Sequence, residues 1–361
     1  MKINLLFFLF TFWGWQSPIT RFATLFFAGD LMQHKEQIQS ANRDKIAYRY
    51  DDCFDLVREQ ISDADIAIGN LEVTLGGVPY SGYPAFSSPD SYAVAIKNAG
   101  FDILVTANNH CLDRGSRGLI RTLDVLDSLK IKHIGTYRNK IERNTTYPLF
   151  IDINGIKIAL LAYTYTTNVS SSNGLCIVNR IDTTQMAIDI HKARTMHADC
   201  IITYLHWGEE YKLSPERNQE KLAEWLISNG VDHIIGSHPH VVQPMELIPD
   251  RDVADNHLIV YSLGNFISNM SATNTDNGLS VSIKLINHFS STKLFECHYN
   301  QVWTERPLGN KDKPFRIIPD YYPDDKLSSD SKQRMEKSLN KTRILLTPTD
   351  SFIIPYSKKK F

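Results

Sequence analysis

The segment Gly236-Ser237-His238-Pro239-His240 follows an apolar run, Val231 to Ile235, that predicts a short buried strand. Both histidines therefore lie where this strand ends and a loop begins. Pro239 favours extended backbone at the residue before it, and residues two apart in extended backbone share a face, so we expect the imidazoles to converge. Neutral imidazole is a common ligand of zinc, iron, nickel and copper. The alternative is a pair of solvated loop histidines.

Four earlier strand-like runs also end in polar side chains. In chain order these side chains are Asp30, Asn70 and Glu72, Asn109 and His110, and His206. In open α/β sheets ligands bind at the carboxyl ends of strands, so we expect these groups to lie along one edge. Carboxylates, an amide oxygen and imidazoles suit Mn, Fe, Zn or a Mg/Mn pair. Two ions about 3.5–4 Å apart could polarise a phosphoryl or acyl oxygen and generate hydroxide near neutral pH.

Each candidate residue also has an ordinary structural interpretation. Asp30 could cap a helix, Glu72 could be a solvated loop residue, Asn109 could be a turn residue, and His206 could be a core histidine. Asp113 follows His110 by three residues and could orient its ring and raise its basicity. Asp113 could instead mark a helix start beside the positive end of the helix dipole.

The composition is that of an ordinary globular protein. The 361 residues, with 42% hydrophobic and 22% charged, could form one large α/β domain or two smaller ones. Lys and Arg number 39 against 40 Asp and Glu, so the net charge of -1 gives no electrostatic grip on nucleic acid, and we expect no nucleic-acid partner. The five cysteines show no CxxC spacing and indicate neither a disulfide framework nor a zinc ribbon.

The two ends of the chain differ from the middle. Met1-Lys2 and the apolar run Ile3 to Trp15 are typical of a secretory signal, so we interpret residues 1–20 as a signal peptide or N-terminal anchor. The alternative is a buried first strand. Residues 22–300 would then form the main domain of an exported protein that is periplasmic, membrane-anchored or on the cell surface. Residues 301–361 are polar and Lys-rich and predict a partly docked C-terminal extension.

Six short motifs occur in order along the chain. They are Gly29-Asp30-Leu31-Met32, Asn70-Leu71-Glu72, Ala107-Asn108-Asn109-His110 with Asp113 and Gly115, His206-Trp207-Gly208-Glu209-Glu210-Tyr211, Gly236-Ser237-His238-Pro239-His240, and Tyr261-Ser262-Leu263-Gly264-Asn265-Phe266. Together, over about Leu25 to Leu285, they resemble the bacterial CapA family. Its members are capsule-synthesis proteins associated with poly-γ-glutamate, and the family resembles calcineurin-like metallophosphatases.

The resemblance implies an α/β fold, a four-layer α/β/β/α sandwich around two divalent metal ions, which would be Mn, Fe or Zn. It implies Asp30 and His240 at one ion, Asn109, His206 and His238 at the other, and Glu72 between them. His110 would be the general acid or transition-state stabiliser, with Asp113 as its partner. The same motifs supply the candidate substrate-binding residues Asn70, Glu209, Tyr211 and Asn265.

The chain departs from the metallophosphatase pattern in two places. That pattern begins Asp-x-His, whereas Met32 stands at the histidine position, and a thioether is a poor ligand for hard divalent ions. The second motif has Asn70 and Glu72 where the pattern carries aspartates. Weaker or single metal occupancy is therefore an alternative to a full dinuclear centre.

The function that the resemblance implies is the synthesis, retention or export of a surface polymer, with a metal-dependent hydrolytic or transfer step. The expected partners are an anionic polymer or its precursor and membrane-bound capsule-synthesis subunits. Two alternatives stay open. The first is a dinuclear phosphoesterase with a small or lipid-linked substrate, and the second is a non-catalytic polymer-binding or assembly subunit.

Overall fold

The computed structural model describes residues 20–170, 176–249, 255–289, 291–308, 313–346 and 352–356. Its helices are α1 (Lys35–Ala41), α2 (Arg58–Ser62), α3 (Asp90–Asn98), α4 (Gly115–Ser128), α5 (Lys140–Thr146), α6 (Thr183–Thr195), α7 (Arg217–Ser228) and α8 (Ser329–Arg343). Apart from Thr20, the predicted signal peptide or anchor lies outside the described residues.

The strands alternate with helices in the first part of the chain, whereas β10 to β16 follow one another without an α-helix between them. They are β1 (Arg21–Leu31), β2 (Ile66–Leu71), β3 (Ile103–Val105), β4 (Lys132–Ile134), β5 (Thr136–Tyr137), β6 (Leu149–Ile153), β7 (Ile156–Thr164), β8 (Ile177–Val178), β9 (Cys200–His206), β10 (His233–Ser237), β11 (Met245–Pro249), β12 (Asn256–Val260), β13 (Asn265–Ile267), β14 (Asn277–His288), β15 (Ser291–Glu305), β16 (Arg316–Pro319) and β17 (Ile353–Pro355).

Two large sheets contain most of these strands. The nine-stranded sheet has the order β16-β15-β14-β1-β2-β3-β4, with β13 paired to β1 and β17 paired to β15. The six-stranded sheet has the order β11-β12-β10-β9-β7-β6. Strands β1 to β4 are parallel to one another, as are β7, β9, β10 and β12. The carboxyl ends of neighbouring parallel strands therefore meet at one edge of each sheet.

The alternation of side chains along β1 separates two hydrophobic cores. Leu25 and Phe27 lie in the core shared with the six-stranded sheet and with helices α6 and α7. Phe26 and Ala28 point to the opposite face and lie in the core that includes residues of α2 and α3. Because successive side chains of a strand point to opposite faces, β1 is covered on both sides. The expected four-layer α/β/β/α arrangement is confirmed.

The chain beyond residue 300 contributes to the same nine-stranded sheet. Strand β15 continues to Glu305, and both β16 and β17 pair with it. Trp303 and Ile318 pack with Met335 and Leu339 of α8 in a small separate core. The division at residue 300 into a main domain and an extension stays a prediction. Among the described residues, no helix combines the length and apolar character needed to cross a membrane.

Two glycines allow neighbouring backbones to approach closely near the carboxyl ends of the parallel strands, one in each sheet. A Cβ on Gly29 would lie 2.0 Å from the carbonyl oxygen of Gly264, and one on Gly236 would lie 2.1 Å from the carbonyl oxygen of Tyr261. Any larger side chain at either position would force the neighbouring backbone to move. These glycines therefore set how closely the polar strand ends can be drawn together.

Acid should destabilise the six-stranded sheet through His233. The ring is buried, its Nδ1 accepts the backbone N–H of Leu258 at 3.2 Å, and burial lowers the pKa of His233 to about 3. Below its unfolded pKa the unfolded chain binds a proton that the folded chain excludes, so stability falls as pH drops from 6.5 towards 3. We expect His233 to contribute about 1.4 kcal/mol of loss per pH unit in this window.

The variant to compare with the wild type is His233→Asn. Its side-chain oxygen can replace Nδ1 as the acceptor of the Leu258 N–H but cannot take up a proton. Urea unfolding at several pH values should give a shallower decline for the variant than for the wild type. Parallel pH profiles for the two proteins would contradict the assignment.

Candidate metal centre

The polar strand ends of both sheets converge on one buried cluster. Asp30 and Asn70 lie in β1 and β2, and Glu72 follows β2. His206 ends β9, and His238 directly follows β10. Every one of these five side chains is almost completely inaccessible to solvent. The polar strand ends therefore come together as expected, but they come from two sheets and not from the edge of one.

Glu72 lies at the centre of the cluster. Ligand atoms of Glu72, His238 and His240 all lie within 4.8 Å of one another, and so do those of Asp30, Glu72 and His206. The Glu72 Oε1 atom is 3.6 Å from His206 Nε2 and 3.8 Å from His240 Nε2. Glu72 thus belongs to both groups, as the bridging position implied by the resemblance requires. The division of the remaining ligands between two ions stays a prediction.

Asn70 holds the Asp30 carboxylate in place. Its Nδ2 donates to Asp30 Oδ1 at 2.7 Å and lies 3.3 Å from His206 Nδ1. Its Oδ1 accepts from Asn108 Nδ2 at 3.1 Å. Because these bonds occupy both ends of a fully buried amide, Asn70 orients ligands in this structure. A direct contact of Asn70 with substrate stays a prediction.

Asn109 and His206 face each other across the two sheets. Asn109 Oδ1 is 2.9 Å from His206 Nε2, and His206 Nδ1 is 3.1 Å from Ser237 Oγ. Ser237 and Asn108 belong to the quoted motifs but were not among the predicted site residues. Their position directly beside a candidate ligand was the signal that could have identified them.

The prediction of extended backbone around Pro239 is wrong. His238 has a φ of 99° and His240 a φ of 58°, both in the left-handed region that side chains other than glycine rarely adopt. The two ring centroids are nevertheless only 5.8 Å apart. His240 Nδ1 lies 3.1 Å from Asn265 Oδ1 and 3.3 Å from Asp30 Oδ2. The imidazoles converge because the contacts of His240 with Asn265 and Asp30 hold this strained turn, not because the segment is extended.

The donor set fits a divalent cation. Both carboxylate oxygens of Glu72 and the Nδ1 of His238 are buried without a hydrogen-bond partner among the described residues. Burial, reinforced by the Asp30 carboxylate, raises the pKa of Glu72 well above its usual range. Burial, reinforced by His240, lowers the pKa of His238 to about 3, and burial also lowers that of His206. Buried carboxylates and neutral imidazoles without partners are what a cation would satisfy.

His110 and Asp113 form a pair at the edge of the cluster. The Nδ1 of His110 is 2.7 Å from Asp113 Oδ2, which also accepts the backbone N–H of Phe86 at 2.8 Å. The Phe86 ring packs edge-on against His110 with centroids 4.6 Å apart. Asp113 precedes α4, but its carboxylate is hydrogen-bonded to the His110 ring. This is the first of the two sequence interpretations, in which Asp113 orients the ring. The pair fixes the orientation of the His110 ring.

The remaining predicted residues lie at different distances from the cluster. Asn265 is fully buried against His240, and its Nδ2 donates to the Thr275 carbonyl oxygen at 2.8 Å. Tyr211 is at the rim, with 45% of its surface exposed and its ring centroid 6.5 Å from that of His240. Glu209 is exposed, and its carboxylate lies 3.9 Å from Lys212 Nζ. The structure therefore brings Asn265 into the site and leaves Glu209 outside the cluster.

Sequence reasoning missed two aromatic rings. The Tyr165 ring centroid lies 4.6 Å from that of His238, and burial raises the pKa of Tyr165 to about 12. Tyr165 follows β7, so the same strand-end rule could have identified it. The ring of His34 packs against Phe86 with centroids 5.3 Å apart, and burial lowers the pKa of His34 to about 4.

Met32, which stands at the histidine position of the metallophosphatase pattern, is buried in the second hydrophobic core.

Removing the Asp113 carboxylate should destabilise the fold. Asp113→Ala leaves the Phe86 N–H and the His110 Nδ1 without their acceptor in a buried position, which we expect to cost about 2–4 kcal/mol. Asp55→Ala is the control, because it removes an exposed partner of Arg58 at the same three-residue spacing. That pair should be worth less than about 1 kcal/mol. Urea unfolding in the presence of a chelator measures both, and equal losses would contradict the role of Asp113.

Comparison with known proteins gives one family match and several relatives. The family described as bacterial capsule synthesis protein PGA_cap matches residues 24–270. The capsule biosynthesis protein CapA of Bacillus anthracis is 29% identical over 277 residues, which cover 73% of this chain and 64% of that protein. The PGA biosynthesis protein CapA of Bacillus subtilis (strain 168) is 31% identical over 196 residues, which cover 53% and 48%. The matches thus span about half to two-thirds of these relatives.

Solved structures show a more distant likeness. A novel phosphatase from Mycoplasma pneumoniae superimposes with a TM-score of 0.45 at 14% identity, covering 82% of this chain and 98% of that chain. A 5'-nucleotidase from Candida albicans SC5314 gives a TM-score of 0.43 at 14% identity, covering 89% and 57%.

Proposed function

This chain belongs to the bacterial capsule synthesis protein family PGA_cap, and we propose that it acts in the synthesis or export of an anionic surface polymer. The proposed step is a hydrolysis or group transfer at a divalent metal centre. The observation that carries this proposal is the fully buried Glu72, whose two carboxylate oxygens lack hydrogen-bond partners among the described residues and lie beside three histidines. A structural carboxylate would instead be hydrogen-bonded, because an unpaired buried charge is costly.

The residues that would hold metal are Asp30, Glu72, Asn109, His206, His238 and His240. Two ions of Mn, Fe or Zn, with Glu72 between them, suit this number of oxygen and nitrogen donors. Bound divalent ions would supply Lewis-acid polarisation of a phosphoryl or acyl oxygen. Asn70, Ser237 and Asn265 keep the ligand atoms oriented, so the cluster is assembled before any substrate arrives.

His110 is the proposed proton donor to the leaving group. Its Nδ1 is committed to Asp113, and its Nε2, which lies 3.4 Å from Asn168 Nδ2, would be the atom that holds or gives up a proton at the site. Tyr211 and Tyr165, both partly exposed beside the histidine rings, would flank the substrate. Asn70, Asn265 and Glu209 are further candidates for substrate binding, because they belong to the family motifs.

The proposed location is the cell envelope, on an exported protein that is periplasmic, membrane-anchored or on the cell surface. Capsule synthesis by the family is the basis of this proposal. The proposed partners are the anionic polymer or its precursor, poly-γ-glutamate by family resemblance, and membrane-bound synthesis subunits.

Metal content tests the centre directly. Elemental analysis of protein purified after Mn, Fe and Zn supplementation should give about two equivalents for the wild type. His206→Ala combined with His240→Ala should abolish most of this binding, because it removes a donor from each group around Glu72. The control removes His191 and His197, two exposed histidines outside the cluster, and should keep the metal. A metal-free wild type under all three supplements would overturn the proposal.

His110→Ala separates a catalytic from a non-catalytic role. In a capsule-producing strain that depends on this chain, we expect the variant to accumulate normally, retain metal and reduce polymer output by about 100-fold or more. Unchanged output from a variant that retains metal would favour a binding or assembly subunit. Robust metal-dependent turnover of simple phosphate esters by the wild type, together with unchanged output, would favour the phosphoesterase alternative.

A further inference from the structure

A second polar cavity lies beside the C-terminal helix, away from the clustered histidines. Its volume is about 330 Å³, and it is bounded by the 271–276 loop, the end of β15 and one face of α8. We call it the α8 cleft. The cleft is formed by residues beyond 270, so it lies outside the part of the chain that matches the family. Nothing in the proposed metal chemistry uses it.

The charge in the α8 cleft is strongly positive. Four cations line it, namely Arg306, Arg334, Lys337 and Lys341. Its one acidic residue, Asp276, is already hydrogen-bonded to Trp303 Nε1 at 3.3 Å and to Ser338 Oγ at 2.9 Å. Arg334 is paired with Asp330 at 3.0 Å, whereas Lys337 and Lys341 form no ion pair with another described residue. The cations therefore exceed the local carboxylates and favour an anionic ligand.

Three polar atoms in the cleft walls lack partners. Asn274 Oδ1, Thr304 Oγ1 and Arg306 Nε are all buried without a hydrogen-bond partner among the described residues. Burial lowers the pKa of Arg306, and the neighbouring Arg334 guanidinium adds to this effect. Leaving Arg306 Nε and the Thr304 hydroxyl unpaired near a second cation is unfavourable, although Asp276 offsets part of the charge at Arg306 and Asp330 pairs with Arg334. The oxygens of an anion would accept from Arg306 Nε and from the Thr304 hydroxyl, whereas the Asn274 amide oxygen is itself an acceptor and needs a donor.

The spacing of the cations indicates the shape of the ligand. Arg334, Lys337 and Lys341 recur at three- and four-residue intervals along α8, so they form a row on one helix face with about 5–6 Å between neighbours. Arg306 lies at the base of this row. A compact anion would engage one or two of these groups. A linear chain with a negative charge on each unit can engage the whole row.

The cleft is joined to the metal centre by one loop. An Arg306 N–H donates to the Met270 carbonyl oxygen. The Met270 sulfur accepts from Asn265 Nδ2 at 3.6 Å, and Asn265 Oδ1 lies 3.1 Å from His240 Nδ1. A ligand in the cleft would therefore lie beside the loop whose Met270 and Asn265 connect Arg306 to His240, a candidate metal ligand.

We propose that the α8 cleft binds a linear polycarboxylate, as a docking surface for the acidic polymer on which the metal centre acts. This identification of the ligand rests on the proposed function, whereas the cationic row and the unpaired atoms do not depend on it. The net charge of -1 gives the chain as a whole no electrostatic grip on nucleic acid, whereas four cations line this cleft together and suit a short run of carboxylates.

The test measures binding of fluorescently labelled polyglutamate to the full chain at two salt concentrations. Lys337→Glu combined with Lys341→Glu changes two exposed side chains and should weaken binding about tenfold or more, with a smaller salt dependence than the wild type. The control, Lys140→Glu with Lys221→Glu, makes the same charge change on α5 and α7 and should bind as the wild type does.

Two further measurements separate this proposal from the proposed function. The Lys337→Glu, Lys341→Glu variant should keep the metal content of the wild type, because neither lysine belongs to the candidate metal cluster. Equal losses in the α8 variant and its control, or no binding by the wild type, would overturn the cleft while leaving the metal and capsule tests standing. Equal or tighter binding of polyphosphate would overturn the assignment to a polycarboxylate.

Discussion

The buried Glu72 carboxylate sets the conditions for everything around it. Two carboxylates, Asp30 and Glu72, are removed from water within a few ångströms of His206 and His240. Such a group of charges is costly to bury unless each member is hydrogen-bonded or faces a cation. Asn70 satisfies Asp30, but Glu72 has no such partner among the described residues. The fold therefore concentrates the cost of burying charge at Glu72. In a structural ion pair the partner residue offsets this cost, whereas here a bound cation would do so.

The scaffold tolerates this cost because two sheets support the site from different sides. Asp30 and Glu72 come from the nine-stranded sheet, whereas His206 and His238 come from the six-stranded one. Gly29 and Gly236 let backbones pass closer than any Cβ would permit. The left-handed backbone at His238 and His240 adds strain that the surrounding packing must hold. Rigidity here is useful, since ligand atoms must keep their positions whether or not a substrate is present.

The C-terminal part of the chain joins the candidate metal cluster to a separate polar surface. Strands β16 and β17 extend the sheet that carries Asp30, and α8 packs on β15. The proposed docking surface is thus held by the same sheet as Asp30, one of the candidate metal ligands. For a repeating polymer this matters, because contacts remote from the reacting unit can retain the chain between successive reactions.

The sequence by itself determined the strand ends and the residue types that follow them. Apolar runs ending in Asp30, Glu72, His206 and His238 predicted strands whose polar ends meet, because parallel strands bring their carboxyl ends together. The four-layer arrangement was implied by the family motifs instead. Local pattern could not give the backbone of His238, where sheet packing overrides the preference of a residue before proline. Nor could it show that the Tyr165 ring packs at a tilt against the His238 ring, or that Arg306 and one face of α8 line the same cavity. Those contacts join residues far apart in the chain, so only the tertiary structure decided them.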